Sequence, residues 1–107
     1  MARIYRQFQR IDKIYPADGK YFTYEELCQS IGCKSLLFYL IRLNQNILIA
    51  SEDAFNEKDS SKLNLAGTKA LRQNNGVGTV YGTCVMAGKE ELKNIEQCKH
   101  LLSVPGL

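Results

Sequence analysis

The stretch Asp18–Gly32, Asp-Gly-Lys-Tyr-Phe-Thr-Tyr-Glu-Glu-Leu-Cys-Gln-Ser-Ile-Gly, compresses a turn, a helix start and a helix stop into fifteen residues. Pro16-Ala17-Asp18-Gly19 has the residues of a β-turn, because proline pre-sets φ and glycine tolerates a positive one. Thr23 is placed to cap a helix whose third residue, Glu26, reaches back to the cap's own amide. Gly32 falls where a helix closes through a left-handed residue. The spacing predicts a helix over 24–31 that buries Leu27, Ile31 and Cys28. Each of these positions has a mechanical job, and none attacks, protonates or ligates a substrate. No other segment carries a catalytic signature, so an enzymatic role is not expected and no cofactor is implied.

The chain has 107 residues, enough for one two-layer core and too few for two, so a single domain over 1–107 is expected. Its 45% apolar and 23% charged residues are those of a globular protein and exclude wholesale disorder. The longest apolar run, Leu36 to Ile41, falls far below the roughly 18 residues of a membrane span. Behind the first basic residues there is no apolar stretch of leader length, so the expected location is cytoplasmic, with no membrane partner.

Ile4 to Tyr15 fits either a helical face or a strand, and Pro16 favours the strand. Ile11–Tyr15 is expected to pair across the turn with Lys20–Phe22 as a short hairpin. Ser35–Leu43 reads as a central strand buried on both faces, returning through Asn44-Gln45-Asn46 to a second strand at Ile47–Ala50. Ser51–Ser61 is polar and without period, which predicts a surface loop. Lys62–Asn74 resumes helical spacing, and Val80–Met86 reads as a strand with Gly82 at a bulge. Lys89–Leu102 places Leu92, Ile95, Cys98 and Leu101 on one stripe of a terminal helix, before a tail. The expected fold is α+β: a mixed or mostly antiparallel sheet of four to five strands with about three helices, largely on one face.

The net charge is +3, and its distribution says more than its size. Arg3, Arg6, Arg10, Lys13 and Lys20 face only Asp12 and Asp18 in the first twenty residues, which accounts for the whole excess. Tyr5, Phe8, Tyr15 and Tyr21 are interleaved with this basic strand or arm. Phosphate contact plus base stacking through Arg3, Tyr5, Arg6, Arg10 and Lys13 is one reading of the pattern. An edge strand with solvated arginines and inward aromatics is the other.

The four cysteines, Cys28, Cys33, Cys84 and Cys98, are expected to be free thiols. A zinc set of Cys28, Cys33, Cys98 and His100 has acceptable spacing, but Cys28 and Cys98 fall on inward helix faces where cysteine behaves as a small hydrophobe. His100 is the lone imidazole, and it makes a poor pair with Cys98 two residues away on a helix. Glu25-Glu26 and Glu90-Glu91 suit the first turns of helices rather than acid–base work. Asn64 and Thr68, four apart, could converge with Glu52 on a small ligand or nucleotide, although Asn64 also suits a helix cap.

Residues 14–88 resemble a family of short proteins of unassigned function found in phages, plasmids and their bacterial hosts. The likeness lies in Asp18-Gly19-Lys20, in Phe22-Thr23-Tyr24-Glu25-Glu26-Leu27-Cys28-Gln29 with Ile31-Gly32, in Ser51-Glu52, in Asn64-Leu65-Ala66-Gly67-Thr68 and in Tyr81-Gly82-Thr83. Family members carry leucine at the place of Tyr24, alanine at Gly67 and aspartate at Thr83. The resemblance implies a small α+β accessory protein of a mobile element. Such a protein would act by binding a host or element-encoded protein, or nucleic acid through the basic N-terminal segment.

Overall fold

The computed structural model describes residues 2–7, 10–40, 46–74 and 76–98. Its helix α1 (Tyr24–Ile31) has the bounds the spacing predicts. Thr23 Oγ1 accepts the Glu26 amide at 3.2 Å while Glu26 Oε1 accepts the Thr23 amide at 2.6 Å, so both orphan donors of the first turn are satisfied. The other Glu26 oxygen accepts the Ala17 amide at 3.1 Å, and Gly19 donates to the Pro16 carbonyl at 3.0 Å, which ties the turn to the helix start. Asp18 Oδ1 accepts the amides of Tyr21 and Lys20, and these two bonds hold its carboxyl below the usual carboxylate range. At the other end Gly32 adopts φ 82°, the left-handed closure that a side chain would strain.

Five strands form one sheet in the order β2-β1-β5-β4-β3, and every neighbouring pair is antiparallel. They are β1 (Ala2–Tyr5), β2 (Asp12–Ile14), β3 (Leu36–Leu40), β4 (Asn46–Ser51) and β5 (Cys84–Gly88). The hairpin β1–β2 thus lies within the N-terminal segment, with Arg3 opposite Lys13. The expected pairing of Ile11–Tyr15 with Lys20–Phe22 does not form. Phe22 instead donates its amide to the Glu91 carbonyl at 2.8 Å and buries its ring.

Strand β3 is an edge strand with Leu37, Phe38 and Tyr39 only half-buried, and the strand enclosed on both faces is β4. Its apolar run resembled a central strand because one flank of an edge strand can still be covered. Residues 41–45 of the expected turn lie outside the described residues. The segment read as a loop contains helix α2 (Glu52–Glu57), capped by Ser51 Oγ on the Ala54 amide at 3.1 Å, and a 3₁₀ turn at Ser60–Lys62. Six residues are too few to show a helical period, and the cap with acids Glu52 and Asp53 behind it was the available signal.

Helix α3 (Leu65–Gln73) follows, capped by Asn64. The strand expected at Val80–Met86 starts only at Cys84, after Gly82 takes φ 75°. Within the expected terminal helix the described residues form a 3₁₀ turn at Lys89–Leu92 and a helical stretch at 96–98. Leu92, Ile95 and Cys98 are buried as the stripe predicts, while Leu101 and His100 lie outside the described residues.

Strand alternation sends Ala2, Ile4, Leu36, Ile47, Ile49, Val85 and Ala87 to one face, where Phe22, Leu27, Ile31, Leu92 and Ile95 close over them. Tyr5, Leu48, Ala50 and Cys84 point to the opposite face, beneath Ala70 and Leu71 of α3 and Val80. Helices therefore cover both faces and not mainly one. The molecule is a single α+β domain built on a five-stranded antiparallel sheet.

Candidate functional site

Asn64 joins three parts of the second face. Its Oδ1 accepts the Gly67 amide at 2.9 Å, and its Nδ2 donates to the carbonyls of Tyr5 and Gly82, each at 2.8 Å. The Asn64 amide donates to the Val80 carbonyl at 2.9 Å, and Thr68 donates its amide to the Asn64 carbonyl at 2.9 Å. Thr68 Oγ1 in turn accepts the Val80 amide at 2.9 Å. One buried side chain thus fastens the end of β1, the start of α3 and the approach to β5. Asparagine alone combines the required acceptor with two donors at this length.

Asn64 and Thr68 are brought one helical turn apart, as their spacing implies, and both point inward with their polar atoms engaged by the protein. Glu52 opens α2 with its side chain in solvent and its amide on the Ser35 carbonyl at 3.0 Å. The three do not form one polar site.

Of the basic segment, Arg3 and Lys13 are exposed cross-strand neighbours on the second face. The row continues through Met86 on β5 and Leu48 on β4. Helix α3 covers Leu48 and leaves the end beyond it open, where Arg3, Asn46, Met86 and Gly88 line a cleft of about 230 Å³. Arg10 is exposed in the β1–β2 connection, whereas Arg6 pairs with Asp12 at 3.2 Å. Tyr5 is turned into the second core and has no ring to offer a base. Asn46, Met86 and Gly88 were not singled out from the sequence; the β1–β2 register that assembles them was hidden by the ambiguity of residues 4–15.

An open groove of about 850 Å³ lies between the end of α1 and α2, lined by Cys28, Cys33, Lys34, Asp53, Asn56 and Glu57 among others. Cys28 Sγ donates to the Lys34 carbonyl at 3.7 Å, and Cys33 stands beside it on the groove wall. Burial, then the neighbouring Cys28, pushes the Cys33 thiol up to about 11. Burial alone pushes Cys84 up to about 12 and Cys98 up to about 11. Among the described residues, no three Cys, His, Asp or Glu side chains come together as a metal's ligand set. No helix among them is long and apolar enough to cross a membrane.

No protein-family model matches the chain, and neither a curated protein nor a solved structure shows a significant likeness to it.

Proposed function

We propose that this is a non-enzymatic accessory protein of a phage or other mobile element, acting in the host cytoplasm by binding an anionic macromolecule at the open, basic end of the sheet's second face. The observation that carries this reading is the placement of Arg3 directly opposite Lys13 on a stretch of sheet that α3 leaves uncovered, beside the cleft of Asn46 and Met86. A hydrogen-bonded strand pair sets the two cations opposite each other, and exposed Arg10 in the adjoining connection extends the positive field. Nucleic acid is the partner this charge favours. With Tyr5 buried, contact would run through phosphates rather than stacked bases. The mobile-element setting rests on the sequence resemblance. A small-ligand site at Glu52, Asn64 and Thr68 finds no support, since the last two spend their polar atoms on the fold.

Fluorescence anisotropy with labelled single-stranded DNA and RNA, run across a salt series, tests the reading. Affinity should fall with salt at roughly 0.7 log units per phosphate contact and log unit of salt. Arg3→Glu combined with Lys13→Glu should weaken binding at least about ten-fold and flatten that slope. A wild-type chain that binds neither strand at low salt, or a double variant that binds equally well, contradicts the proposal.

A further inference from the structure

We infer that Cys28 and Cys33 are a reversible disulfide site, closed by low-molecular-weight disulfides that enter the groove between α1 and α2. The pair straddles the left-handed stop of α1. The amides of Gly32 and Cys33 both donate to the Cys28 carbonyl, at 2.7 and 3.0 Å, so the chain reverses on itself. This closure sets the side chain of Cys28, the fourth-last residue of α1, beside that of Cys33, the residue after Gly32. Here those side chains are two cysteines, and both line the groove. A carbonyl that accepts both amides holds the two cysteine backbones close, as a disulfide requires.

Access separates this pair from the other cysteines. Cys84 and Cys98 are fully buried in the two cores, whereas Cys28 and Cys33 are half-exposed on the groove wall. The chemistry balances in two exchanges. One cysteine thiolate attacks a sulfur of an external disulfide RSSR, forming a protein–S–S–R bond and expelling RS⁻, which takes up the proton the thiol gave. The second cysteine thiolate then attacks the protein sulfur of that mixed disulfide and expels the second RS⁻, which is protonated likewise. Two protein thiols are oxidised, and one external disulfide is reduced to two thiols. The product ties the α1 stop to the segment entering β3 and sets the rigidity of the groove's wall.

Both cysteines fall in one tryptic peptide, residues 21–34, which contains no other cysteine. The folded chain, incubated with glutathione disulfide and quenched with acid, should yield this peptide lighter by two hydrogens and free of glutathione. Dithiothreitol should restore it. Cys28→Ser and Cys33→Ser should each retain a stable glutathione adduct on the remaining cysteine, because no neighbour resolves it. The inference is overturned if the wild-type peptide keeps glutathione, stays reduced at every glutathione ratio, or links to Cys84 or Cys98 instead. Urea midpoints of the three reduced proteins, expected to agree closely, ensure that the comparison is made between folded chains.

Discussion

Under α1 the sheet is closed mainly by apolar side chains: Phe22, Leu27, Ile31, Leu92 and Ile95 meet Ile4, Ile47, Ile49 and Val85, with a single side-chain bond from the Leu36 amide to the Tyr24 hydroxyl at 2.9 Å beside them. On the opposite face α3 offers the sheet little beyond Ala70 and Leu71, and its attachment is concentrated in Asn64 and Thr68. Apolar closure is shared among many contacts, so losing one costs its own volume. A polar hub is different, since removing it strands every partner it served. The contrast also bears on the candidate site. Helix α3 packs over Leu48 and Ala50, while Arg3 and Lys13 stand exposed beside the cleft of Asn46 and Met86.

The largest effect should come from the hub. Asn64→Ala would take the Asn64 bond from the Tyr5 and Gly82 carbonyls and from the Gly67 amide, and about 3–5 kcal/mol of stability should be lost in urea unfolding. An ordinary surface cap would lose only about 1 kcal/mol, and that result would erase the distinction between the faces. On the apolar side Leu27→Ala, at a fully buried position, should cost about 3 kcal/mol through transfer and cavity alone.

A second probe sharpens the comparison by asking how tightly α3 sits on β5. A Cβ on Gly67 would lie 2.6 Å from Cys84 Sγ. Gly67→Ala should therefore destabilise by about 2 kcal/mol, against the gain of about 1 kcal/mol that alanine normally brings to a helix. Cys84→Ala removes the obstructing sulfur, so the double variant should recover at least about 1 kcal/mol relative to additivity in a double-mutant cycle. The close thiol accounts for a glycine at position 67.

The smallest effect is alkaline. Burial raises the Cys84 thiol from 9.0 to about 12, so the folded state holds that proton more tightly than the unfolded chain. Its contribution is complete below pH 9 and drains away as the pH rises toward about 12. At pH 10 the loss should be about 1 kcal/mol in urea unfolding, and Cys84→Ala should remove that part of the pH dependence. An unchanged alkaline limb in the variant would place the titrating thiol at Cys33 or Cys98.

Local rules in the chain foretold the first face better than the second. The cap at Thr23, the stop at Gly32 and the stripe Leu92, Ile95 and Cys98 are encoded within a few residues of where they act, and the structure has them there. The second face depends on contacts between distant segments. Asn64 bonds to Tyr5 and to Gly82, and no pattern local to residue 64 announces those partners. Its capping role was visible, but the same residue types also suggested a ligand site. The meeting of Arg3 with Lys13 required the β1–β2 register, which Phe22 and the turn before it obscured by suggesting a rival hairpin. Cys28 and Cys33 were visible as a pair and were weighed for zinc; their proximity across the helix stop became evident only with the cap geometry.

Native-state hydrogen exchange on Asn64→Ala tests the central claim most directly. If one polar residue fastens the second face independently of the first, protection should fall selectively at the amides of α3, Val80 and Gly82. The amides of α1 and the β3–β4 pair should keep theirs. Equal loss on both faces, or undiminished protection in α3, would contradict the account.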